Sequence, residues 1–126
     1  MTVVLDASAL LAVLNAEAGA QVVAPQLDAA VISAVNLSEV AGKLVDRGLR
    51  PSDVRASLEA LQLDVRAFDT NQAFLTGELR TAVPKDFALG DRACLALAST
   101  LGAPALTADR QWSELRLPGV KVRVIR

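Results

Sequence analysis

The sequence predicts a three-layer α/β/α fold built on a parallel sheet of about five strands. Three observations support this. Short β-rich runs alternate with segments of helical periodicity along the chain, an order that implies parallel strands joined by right-handed helical crossovers. The apolar mass is Ala, Val and Leu with only 3% aromatic residues, which suits helices packed tightly on a sheet better than a base-stacking platform. At 126 residues the chain has the size of one ordinary domain with one core, so residues 1–126 are read as a single domain.

Residues 2–5 (TVVL) are the first strand, ending at Asp6, and ASALLAVLN follows as a helix with Asp6 or Ser8 near its start. Residues 30–33 (AVIS) repeat the pattern. They lead into an amphipathic helix over 34–47, with Leu37, Val40, Ala41 and Leu44 on one face and Gly48 closing it. Pro51-Ser52-Asp53 restarts a helix to residue 63, residues 65–68 form a strand, and Asp69 caps a helix over 70–82. Residues 83–88 are loop. The stretch 89–101 is helical, with Gly102 at its end, and 104–107 is the fourth strand. A short helix over 109–115 and a Pro118-Gly119 turn precede an edge strand at 120–125, where Val alternates with Lys and Arg. No repeat or interdomain linker interrupts this series.

Composition removes most chemistries. There is no His and no Tyr, and Cys94 is the one cysteine, so Ser-His-Asp and Cys-His catalysis and the usual zinc sites are excluded. Any metal must be held by oxygen, which favours Mg²⁺ or Mn²⁺. Cys94 cannot form an internal disulfide and reads as a small core residue. The apolar N-terminus lacks a basic leader and carries Asp6 within it, and no stretch approaches the roughly 20 apolar residues of a membrane span. A cytoplasmic protein without membrane attachment is expected. The net charge of −1 argues against a generally basic surface, but with four acids neutralised by metal the remainder would carry +3, and Arg, at 10 against 3 Lys, is the better fork for phosphate.

Those four acids are Asp6, Glu39, Asp91 and Asp109. Each has a local explanation. Asp6 and Asp109 follow strands and fit as helix caps; Asp91 lies in a first helical turn, where the dipole favours a negative charge. Glu39 fits a capping box with Asn36 or a pair with Lys43. Yet all four fall at strand ends or in the helical turns that follow, which the topology brings to one sheet edge, where α/β folds bind ligands. Four carboxylates brought together repel unless a cation joins them.

The segments LDASAL, NLSEV, LGDRACLALA and LTADRQW around these acids resemble the PIN-domain family, specifically VapC-type toxins of bacterial toxin-antitoxin pairs. The likeness spans residues 5–112 and lacks no acid of the motif set, although 49–83 matches nothing characteristic. It implies a five-stranded parallel sheet, a Mg²⁺- or Mn²⁺-dependent endoribonuclease, homodimerisation and inhibition by a cognate antitoxin. Carried over by motif, Asp6, Glu39, Asp91 and Asp109 are the catalytic and metal-binding acids, with Ser8 and Thr107 as polar neighbours. Arg92 and Arg110, each beside a site acid in sequence, are candidates for contact with RNA or antitoxin, or else solvated helix residues.

The expected reaction is hydrolysis of an RNA phosphodiester by a metal-activated water, with a carboxylate or the activated water itself as base. Two rivals remain: a phosphoaspartyl-type phosphohydrolase using Asp6, which fits poorly because position 8 is Ser rather than a second Asp, and a non-catalytic PIN-like interaction module.

Overall fold

A computed structural model describes residues 1–126. Its sheet is five-stranded and parallel, in the order β3-β2-β1-β4-β5, with β1 at Val3–Leu5, β2 at Ala30–Ser33, β3 at Asp64–Arg66, β4 at Ala105–Thr107 and β5 at Val122–Val124. Leu5 pairs with Ile32 on one side of β1 and with Leu106 on the other. The chain moves outward from β1 through β2 to β3, then returns to add β4 and β5 on the far side of β1. The strand order therefore reverses between β1 and β4, the point where an α/β sheet opens a crevice at its carboxyl edge.

Alternation of side chains splits the core in two. Val3, Leu5, Ala30, Ile32 and Leu106 share one cluster with Leu10 of α1 (Ala7–Leu14), Val23 of α2 (Ala20–Val23), Val40 and Leu44 of α3 (Ala34–Asp46), and Val54 and Leu58 of α4 (Pro51–Ala60). Val4, Val31 and Ala105 point the other way, onto Cys94, Leu95, Leu97 and Ala98 of α6 (Leu89–Leu101), with Phe87 and Trp112. Helix α5 (Thr70–Glu78) packs against α6. The arrangement is the expected three-layer α/β/α fold. Covered on both faces, β1, β2 and β4 are buried at every position, whereas β3 is exposed and carries the Arg66–Asp64 ion pair. Charge on an exposed edge discourages pairing with other chains.

Several boundaries differ from the sequence expectation. The helix expected over 51–63 stops at Ala60, with Gln62 at φ +51, and the strand expected at 65–68 lies at Asp64–Arg66. Pairing of Val31 with Asp64 sets that register, and an edge strand with little burial carries no hydrophobic signal to reveal it. The 70–82 helix divides into α5 and a 3-10 turn at Leu79–Thr81; the helix at 109–115 is a 3-10 turn over Arg110–Glu114. Helix α2 and the 3-10 turn Ala24–Ala29, in a stretch with no expected element, begin at Gly19, whose φ of +97 suits a residue without Cβ. No helix is long and apolar enough to cross a membrane.

Candidate active site

Asp6 leaves β1 and caps α1. Its Oδ1 accepts the Ala9 N–H at 2.8 Å and the Ser8 hydroxyl at 2.7 Å, while its Oδ2 accepts the Thr107 hydroxyl at 2.5 Å from the end of β4. Both expected polar neighbours, Ser8 and Thr107, thus bind Asp6 directly. The side chain is 5% exposed and has no Lys or Arg partner. Burial pushes its carboxyl up to about 6, against the hydrogen bonds from Thr107, Ser8 and Ala9, and the Asp91 charge adds to the rise.

The other three acids come from separate elements. Asp91 is the third residue of α6, and its Oδ2 accepts the Ala88 N–H at 2.9 Å. It is half-buried, and burial raises its carboxyl, with the charges of Asp109 and Asp86 adding to the rise. Asp109 is exposed and caps the 3-10 turn, accepting the Gln111 N–H at 2.9 Å, while the Thr107 hydroxyl accepts the Asp109 N–H. Glu39 lies in α3, but the capping box expected with Asn36 does not form. Ser33 is the N-cap, and the Asn36 amide instead donates to Glu39 Oε1 at 2.8 Å and to the Gly90 carbonyl at 2.9 Å. Beneath them, burial first and then the charges of Asp6, Asp91 and Glu39 hold the fully buried Cys94 thiol well above its ordinary range.

The acids thus share one edge and one electrostatic field, but no three of them form a finished cage for a metal ion. The donor set nevertheless fits Mg²⁺ or Mn²⁺. Asp91, Asp109 and Glu39 each use one carboxylate oxygen for a local hydrogen bond and keep the other unpartnered; Asp6 keeps a lone pair on Oδ2. A hard cation that retains several waters needs only one or two carboxylates directly.

Each of the two arginines makes one hydrogen bond to backbone. Arg92 Nη1 donates to the Thr76 carbonyl at 3.0 Å, pinning α6 to α5, and Arg110 Nε donates to the Arg126 carbonyl at 3.2 Å on the exposed C-terminal side. Two residues enter the site without having been assigned to it from sequence. Asp86, in the loop before α6, adds its charge to Asp91 and accepts from Gln111 Nε2 at 3.3 Å. Asn36, 1% exposed, holds Glu39. A polar residue four before Val40 on the buried stripe of α3 was the available signal for Asn36; Asp86 had none, because its position depends on how the loop folds.

The PIN domain family model matches residues 3–117. Among curated protein sequences none is significantly similar. Several solved structures share the fold. A chain of the DNA-bound VapBC complex from Salmonella typhimurium has a TM-score of 0.75 at 20% identity, with 100% of this chain and 99% of that chain covered. One from Rickettsia felis VapBC2, bound to a promoter DNA fragment, has a TM-score of 0.76 at 16% identity with both chains covered completely. One from VapBC-5 of Mycobacterium tuberculosis has a TM-score of 0.64 at 20% identity, covering 99% and 100%. With the family match running from β1 past the 3-10 turn that Asp109 caps, this chain belongs to the PIN-domain family.

Proposed function

We propose that the protein is a Mg²⁺- or Mn²⁺-dependent endoribonuclease and the toxin of a toxin-antitoxin pair. The observation that carries the catalytic reading is the buried Asp6 carboxylate at the β1/β4 switch point, with no basic partner and with further acids along the same edge. A buried carboxylate without a cationic partner is costly even when hydrogen-bonded, unless a cation belongs to the working state.

In this reading Asp6 and Asp91 are the principal metal ligands, with Glu39 and Asp109 completing the acidic site. When bound, the metal supplies charge neutralisation at the scissile phosphate and lowers the pKa of an attacking water. Ser8 and Thr107 fix the orientation of Asp6 from two sides. With no His in the chain, a site carboxylate is the protein group available as base. A phosphoaspartyl route through Asp6 is disfavoured, because position 8, where such an enzyme would carry a second acid, is Ser, and its hydroxyl is spent on a hydrogen bond to Asp6 Oδ1.

The toxin role rests on the structural likeness to chains of VapBC complexes. An apolar groove between α3 and α4, lined by Leu37, Ala41, Val45, Val54 and Leu58, would accept an amphipathic segment of the antitoxin. Homodimerisation and a cytoplasmic location complete this reading. Incubating the purified protein with single-stranded RNA in Mn²⁺, Mg²⁺ or EDTA tests the activity: cleavage that requires metal and disappears in Asp91→Asn is expected. Full cleavage by that variant, or none by the parent in either metal, overturns the assignment.

A further inference from the structure

Glu39 is the odd member of the acidic set. Asp6, Asp91 and Asp109 are short side chains held by a hydrogen bond to backbone N–H within their own cap or first turn. Glu39 is longer, sits on an exposed position of α3 and makes no such bond. Its carboxylate is nevertheless held in one place. The buried Asn36 amide donates one N–H to Glu39 Oε1 at 2.8 Å and the other to the Gly90 carbonyl at 2.9 Å. Both partners are acceptors, so the edge of the amide that faces them must be its NH₂ group. On the other side, the carboxylate lies against Gly90 so closely that a Cβ there would collide with Oε1, Cδ and Oε2 of Glu39. Gly90 is in α6, immediately before Asp91.

From this geometry we propose that Asn36 and Gly90 form a clasp that positions the Glu39 carboxylate beside the α6 turn carrying Asp91, and that the clasp sets the affinity of the acidic edge for a divalent cation. Asn36 is a positioning residue: it acts through Glu39. Its own Oδ1 is buried without a donor, an uncompensated group that an apolar residue of similar size would avoid. Gly90 contributes by what it lacks, since any Cβ pushes away the flexible end of Glu39 rather than backbone. The inference rests on the reading that this edge takes Mg²⁺ or Mn²⁺.

Calorimetric titration of the full chain with Mn²⁺ tests it, using the parent, Asn36→Ala and Gly90→Ala, with thermal unfolding in EDTA as the check on folding. Outer partners that orient a metal ligand are worth about 10- to 100-fold in affinity, and each variant is expected to weaken Mn²⁺ binding by that factor. In metal-free Gly90→Ala, the Asn36 side-chain NH₂ resonance bonded to Glu39 is expected to shift as the carboxylate leaves. A purely structural link between α3 and α6 would lower the unfolding temperature without changing Mn²⁺ affinity in the folded protein. If Asn36→Ala does not fold, Gly90→Ala decides, because it leaves every Asn36–backbone bond available. Folded Gly90→Ala binding Mn²⁺ as tightly as the parent overturns the clasp alone. A parent that binds no Mn²⁺ overturns the cation reading, and the clasp with it.

Discussion

Replacing Asp6 by Asn should stabilise the metal-free protein while abolishing the proposed metal-dependent cleavage. Burial raises the Asp6 carboxyl from 3.8 to about 6, so the folded state binds this proton more tightly than the unfolded chain does. The corresponding penalty is absent below pH 3.8, grows as pH rises toward 6 and is complete above it. At 1.36 kcal/mol per pH unit, the difference between 3.8 and about 6 amounts to about 3 kcal/mol at neutral pH. Asn removes the charge and keeps an oxygen for Ala9 and Ser8. Its amide, in place of Oδ2, requires the Thr107 hydroxyl to accept rather than donate, which that group can do by rotating. Allowing about 1 kcal/mol for a weaker bond there leaves a gain of about 2 kcal/mol. At this chain length that corresponds to roughly 8 °C in Tm. Thermal unfolding followed by circular dichroism in EDTA, at pH 7.5 and pH 4.5, would measure it. The expected result is a higher Tm for Asp6→Asn at pH 7.5 and a narrower gap at pH 4.5. A variant less stable than the parent at pH 7.5, or a gap that ignores pH, would refute the picture of a buried charge without a cationic partner.

Other consequences follow from the same contacts. Thr107→Val removes the donor to Asp6 Oδ2 and the acceptor of the Asp109 N–H, and should cost about 2 kcal/mol by urea denaturation. Trp112→Ala deletes a side chain 1% exposed and stacked on Phe87 at 5.7 Å, and should lower stability by about 3–5 kcal/mol in the same assay. Mg²⁺ or Mn²⁺ should raise the parent's Tm at pH 7.5, by the equivalent of about 2.7 kcal/mol at a hundred times the dissociation constant, and much less that of Asp91→Asn. An unchanged parent Tm across millimolar metal would count against a cation site.

Much of the architecture could be read from local pattern. The Val3–Leu5 run, the Ala30–Ser33 run and the 89–101 helix closed by Gly102 fall where the sequence places them, because burial, caps and a left-handed glycine are consequences of neighbouring residues. The same holds for Asp6, Asp91 and Asp109. Each serves as a cap or first-turn acid, and that bland role leaves an oxygen or lone pair without a hydrogen-bond partner. The edge strands and the short α2 were harder to place, since with little burial or length their positions depend on what they pair with or pack against.

Sequence by itself therefore determined the chemistry available: oxygen ligands only, no His, and acids at the ends of elements that alternate as strand and helix. Only the tertiary structure decided which groups meet. Thr107 reaches Asp6 across 101 positions because β1 and β4 are neighbours in the sheet, and Asn36 reaches Gly90 across 54 because α3 and α6 converge over its carboxyl edge. Caps and periodicity are set within a few residues along the chain, whereas the charge on Asp6 and the seat of Glu39 depend on burial and close approach between distant segments, which no local pattern records.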